Sequence, residues 1–147
     1  MDFDTTVKLH IYETIAQTTQ PPTSAAVAKA LNAPLQEVEA AFDRLHKKRL
    51  LVPEPGDPSR IRMAPPFSGV ETPFRVKVQG KVYYANCAWD ALGISAALHE
   101  DAVIEASDGQ TGERMTLTVT DGKPIPQSCA IHFAVPAARW WEDIIYT

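Results

Sequence analysis

The spacing of the apolar residues changes along this chain, and that change limits it to a mixed architecture. Up to Leu45 the apolar side chains recur at steps of three and four: Val7, Ile11 and Ile15, then Leu35, Val38, Phe42 and Leu45. Around Phe74 the step becomes two, with Phe74, Val76 and Val78 alternating with Arg75, Lys77 and Gln79. The first spacing lines up one face of a helix and the second one face of a strand. Helices followed by an antiparallel sheet make an α+β chain. The twelve prolines stand mostly between the periodic segments and mark their boundaries.

Residues 4–50 predict three helices. The first runs from about Thr6 to Gln17, with Asp4 and Thr5 as cap candidates, and Pro21-Pro22 breaks it. The second covers about Ser24–Leu31 behind Thr23 as N-cap. The third follows Asn32-Ala33-Pro34 and ends in the basic run His46-Lys47-Lys48-Arg49, a favourable place for cations. Leu50–Val52 and Arg60–Met63 predict two short strands around a turn at Pro53–Ser59. Three helices and a hairpin make a winged helix-turn-helix, so residues 1–66 are expected to form that domain. Ala64–Pro73 reads as a linker, and residues 67–147 as a second, α+β domain.

A winged helix raises the question of DNA. Residues 1–66 carry eight Lys and Arg against eight Asp and Glu, and the whole chain has a net charge of −4. Glu37 and Glu39 stand where a recognition helix would meet base edges, and carboxylates are repelled there. Lys47, Lys48, Arg49, Arg60 and Arg62 remain as a small basic patch. Charge therefore favours a packing role for the helices over DNA binding. No apolar run approaches the ~18 residues of a membrane span. The acidic start MDFDTTVKLH lacks a secretory pattern, and two cysteines make no disulfide framework, so a cytoplasmic chain with free thiols is expected. Nothing in it points to an oligomeric state.

In the second half, Val82 and Tyr84 predict the partner of the Phe74–Val78 strand across a Gln79-Gly80-Lys81 turn. Ala102–Ala106 and the Met115, Leu117, Val119 alternation predict two more strands. Cys129, Ile131, Phe133 and Val135 alternate again, with His132 on the other face, and Ile144-Ile145-Tyr146 reads as the start of a further strand. Residues 139–143 read as a turn or short helix, whose Trp140 and Trp141 cover the core or a site mouth. Between the hairpin and Ala102 lies Tyr83–Leu98, whose run after Asn86 is rich in helix formers, with Asn86 as N-cap. Cys87 and Asp90, three apart, share a face of that helix. A thiol in a first turn feels the positive helix end, which favours thiolate. Beside a carboxylate it is a usable nucleophile or soft-metal ligand with its own proton carrier. The same residues also fit a small buried thiol and a solvated helix carboxylate. Cys129, on an apolar alternation, reads as a core cysteine. The histidines, His10, His46, His99 and His132, have no metal-ligand spacing, and no phosphate loop or nucleophile elbow is present. No cofactor is expected.

Cys87-Ala88-Trp89-Asp90-Ala91-Leu92 resembles the Cys-Ala-x-Asp-x-Leu helix of the alkylmercury (organomercurial) lyase family. Ser107, Thr111-Gly112 and Leu117-Thr118-Val119 extend the resemblance, which covers roughly residues 70–147 and, more loosely, the helical part. The family protonates carbon–mercury bonds with two cysteines and an aspartate. The resemblance implies Cys87 as thiolate on mercury, Asp90 as general base and then acid, and a small organomercurial or other soft-metal ligand as partner. Cys129 is the remaining candidate for mercury. The alternative is a winged-helix DNA-binding regulator in which Cys87 senses a thiol reagent or metal.

The chain departs from the family at the second catalytic cysteine. One alignment sets Ser128-Cys129-Ala130-Ile131-His132-Phe133 on the family's Cys-Cys-His-x-His-Phe and leaves serine at the catalytic place. The other, which the spacing from Leu117-Thr118-Val119 favours, sets Ile144–Thr147 at the approach to that cysteine. It implies a C-terminally shortened member, an incomplete second domain, and a chain that captures an organomercurial without cleaving it.

Overall fold

The computed structural model describes residues 1–146. The chain is α+β: helices and two antiparallel sheets share one apolar core. Helix α1 (Phe3–Thr18) is capped by Asp2, whose carboxylate accepts the Thr5 N–H at 2.9 Å. The cap therefore lies upstream of the Asp4-Thr5 pair that the sequence suggested. Asp4 instead joins α1 to α3 through Arg44 at 2.7 Å and Lys48 at 3.1 Å. Helix α2 (Ser24–Leu31) starts behind Thr23, whose hydroxyl accepts the Ala26 N–H at 3.2 Å, as expected. Helix α3 (Leu35–Lys47) buries Val38, Ala41, Phe42 and Leu45. Leu35 begins the helix exposed, outside the stripe it seemed to lead.

Strands β1 (Val52–Glu54), β2 (Asp57–Ala64) and β3 (Phe67–Ser68) form a three-stranded antiparallel sheet in that order. The presumed linker thus contains a strand. Phe67 and Ser68 are buried, and Phe67 pairs with Ala64 across the prolines. The five remaining strands are β4 (Arg75–Val78), β5 (Lys81–Tyr84), β6 (Ala102–Ser107), β7 (Arg114–Thr120) and β8 (Lys123–Ile125). They pair in the order β5-β4-β6-β7-β8, all antiparallel. Helix α4 (Ala88–Leu98) follows β5 and buries Ala91, Ile94 and Ser95 against β4 and β6.

Phe67 joins the two sheets. Ala85, just after β5, bridges to it. Its ring lies 6.3 Å from that of Tyr12 on α1 and 5.7 Å from that of Tyr83 on β5. Burying such a ring contributes about 3 kcal/mol. The Tyr83 hydroxyl donates to the Ala16 carbonyl at 2.7 Å, so β5 also holds the end of α1.

The sheet ends at β8. Cys129–Val135 alternates as a strand would but pairs with nothing among the described residues. Pro126 ends the edge strand, and the Phe133 ring turns onto Trp140 at 4.9 Å. Trp140 donates from Nε1 to the Val135 carbonyl at 2.8 Å. Trp140 and Trp141 lie in a 3-10 helix, Ala137–Glu142, with the Arg49 guanidinium 5.8 Å from the Trp141 ring. Ile144–Tyr146 is a turn, not a strand, and Thr147 lies outside the described residues. Among the described residues no helix is long and apolar enough to cross a membrane.

Candidate thiol and carboxylate site

Cys87, rather than Asn86, caps α4. The backbone stays extended through Cys87 (φ −153°, ψ 179°), which makes Ala88 the first helical residue. The side chain in reach of the free first-turn amides is then the thiol, and Sγ accepts the Asp90 N–H at 3.5 Å. Asn86 is released from capping. Its Nδ2 donates to Asp90 Oδ2 at 2.9 Å and to the Phe67 carbonyl at 3.4 Å. Its Oδ1 is buried and has no partner among the described residues.

The electrostatics differ from the local reading. Burial pushes the Cys87 thiol up, and the Asp90 charge adds to that; the Asp90 and Trp89 amides pull it down without prevailing. The thiolate preference expected from the helix end is therefore reversed by desolvation. Burial also pushes the Asp90 carboxyl up, against the Asn86 hydrogen bond that favours its ionised form. Each group holds its proton more firmly than it would in water.

Residues far along the chain also lie near this first turn. Tyr12 of α1 donates from its hydroxyl to the Pro65 carbonyl at 2.8 Å. Burial and the Asp90 charge push Tyr12 up to about 12, so it stays neutral. Gly93, one turn beyond Asp90, lets α4 run close to Pro66: a Cβ there would stand 3.1 Å from the Pro66 Cβ. Tyr12 and Asn86 were missed as site residues by the sequence reading. Tyr12 sits off the Val7, Ile11, Ile15 stripe, and its partners are distant in the chain. Asn86 lies beside Cys87, but capping hid its other use.

The other candidates lie apart. Cys129 is exposed on the segment after β8, which corrects its expected core position. His132 is exposed, His99 is the left-handed C-cap of α4, and His46 Nδ1 meets the Leu51 carbonyl at 3.1 Å. Among the described residues no three His, Cys, Asp or Glu side chains form a group able to hold a metal ion. Cys87 and Asp90 bring one soft sulfur and one carboxyl group into the first turn of α4.

A family model described as alkylmercury lyase matches residues 67–147. A crystal structure described as the mercury-bound form of MerB2 is similar to 87% of this chain, with a TM-score of 0.69 and 23% identity. The chain spans 62% of the length of that protein. No curated protein matches.

Proposed function

Because the chain belongs to the alkylmercury lyase family, we propose that Cys87 and Asp90 capture an organomercurial and protonate the carbon bound to mercury. The observation that carries this reading is the Cys87 thiol at the α4 cap with a half-buried carboxyl three residues on. Asp90 takes the thiol proton as the sulfur binds mercury and displaces the ligand opposite carbon. The protonated Asp90 then returns that proton to carbon as the Hg–C electron pair moves onto it, and the hydrocarbon leaves. Mercury(II) stays on sulfur. The raised affinity of both groups for protons suits this order, since metal binding rather than pH strips the thiol. Hg(II) needs a second thiolate, and no second cysteine of the described residues groups with Cys87 and Asp90. In this reading the chain alone captures, and a small-molecule thiol in solution supplies the second sulfur for cleavage.

Residues 1–66 serve in this reading as a winged-helix-like support that roofs the chemical part, 67–147. Four of its eight basic residues form ion pairs within the molecule: Lys47 with Asp43, Lys48 and Arg44 with Asp4, Arg62 with Glu54. That weighs against the DNA-binding alternative. The test is phenylmercury added to the chain with and without excess thiol, followed by intact mass and by benzene release. In the Cys129→Ser background a one-to-one adduct is expected, lost when Cys87→Ser is added, with benzene appearing when thiol is supplied. An adduct that survives in the chain lacking both thiols, or no benzene from the Cys129→Ser chain with added thiol, overturns the reading.

A further inference from the structure

We propose that Asn86 is a positioning residue of this site, its side-chain amide spanning Phe67 and Asp90 and holding the carboxyl by Oδ2 so that Oδ1 is the oxygen that exchanges protons. The inference rests on the proposed reaction and adds a residue to it.

Both hydrogens of Asn86 Nδ2 are used, one by Asp90 Oδ2 at 2.9 Å and one by the Phe67 carbonyl at 3.4 Å. The opposite amide orientation would set Oδ1 against two acceptors, so the carbonyl and carboxyl together select the observed one. The cost is the buried Oδ1 of Asn86, which has no partner among the described residues. A buried unpartnered amide oxygen is destabilising, so a purely structural role explains it poorly. Asp90 Oδ1 makes no hydrogen bond to any described residue. The two carboxyl oxygens are thereby distinguished: one tied to β3 through Asn86, the other available. The anchor is firm at its far end, because Phe67 is buried between Tyr12 and Tyr83. The groups that face Asp90 are Asn86, the Cys87 thiol on its own helix and the Tyr12 hydroxyl of α1. Asn86 is the one whose hydrogen bond favours the carboxylate.

The experiment is a carboxyl-carbon NMR titration of Asp90 in the full chain, in Asn86→Ala and in Asn86→Ser. Loss of the donor should move the Asp90 midpoint upward in Asn86→Ala. Asn86→Ser, whose shorter hydroxyl does not reach both acceptors, should behave similarly if Nδ2 is the anchor. With phenylmercury and added thiol, both variants should keep one-to-one capture while benzene release falls about tenfold, its pH profile shifted with the carboxyl. An unchanged Asp90 midpoint in the folded variants overturns the positioning role. Failure of the unsubstituted chain to capture phenylmercury at Cys87 sinks the proposed reaction instead, and the titration still decides the role of Asn86.

Discussion

Tyr12 on the first helix stands within electrostatic reach of Asp90 in the first turn of the fourth, and the Asp90 charge makes the phenol harder to ionise. The phenol is pushed to about 12 by burial and by the Asp90 charge. Its hydroxyl donates to the Pro65 carbonyl at 2.8 Å, not to the carboxyl.

Tyr12 should therefore be the last tyrosine to titrate, followed as tyrosinate absorbance. Its folded value lies above the ordinary 10.0, so the unfolded chain releases this proton first. Stability from this group is whole below about pH 10 and is lost as pH rises through about 12. Tyr12→Phe should lose the Pro65 hydrogen bond, lower stability by about 1–2 kcal/mol in urea melts at pH 7, and remove the late absorbance phase.

Asp90→Asn should abolish proton delivery and stabilise the fold at neutral pH. The folded carboxyl holds its proton above the usual 3.8 because it is buried. Ionisation then favours the unfolded chain as pH rises from about that value through the folded one. The stability gain of the variant should be small at pH 3 and larger at pH 7, read as urea midpoints. Benzene release with added thiol should fall by about 10²–10⁴, with capture intact. A variant less stable at pH 7 than at pH 3, relative to the unsubstituted chain, would contradict the burial argument.

The two thiols should separate in opposite senses towards two reagents. Cys129 is exposed, whereas Cys87 is partly buried and its thiol is pushed up, so iodoacetamide at pH 7 should label Cys129 several-fold faster. Reactivity at the helix end alone suggests the reverse. Phenylmercury should still settle on Cys87. Asp90→Asn should speed alkylation of Cys87, since the Asp90 charge is one of the causes that raise it. Peptide mass mapping of both cysteines reads all three outcomes.

Gel shifts at low salt should show no retardation of genomic fragments. Arg44 and Lys48 share Asp4, and Lys47 is 2.6 Å from Asp43, which leaves little unpaired charge on α3. Salt-sensitive retardation would restore the regulator reading.

Where neighbours in the chain are neighbours in space, the sequence was sufficient. The Val38, Phe42, Leu45 stripe marks α3, the Thr23 cap marks α2, and the alternations at Val76 and Leu117 mark strands that pair as expected with β5 and β6. The Cys87 and Asp90 pair was legible for the same reason, as two residues one helical turn apart. Alternation at Cys129–Val135 misled because a strand also needs a paired neighbour, and these residues pair with none of the described ones while Phe133 packs on Trp140. Phe67 looked like linker because its partners, Tyr12 and Tyr83, are far away in the chain. The protonation of the site was decided chiefly by burial. A helix end favours thiolate over one turn, but desolvation outweighs it, and desolvation depends on what the whole fold brings near.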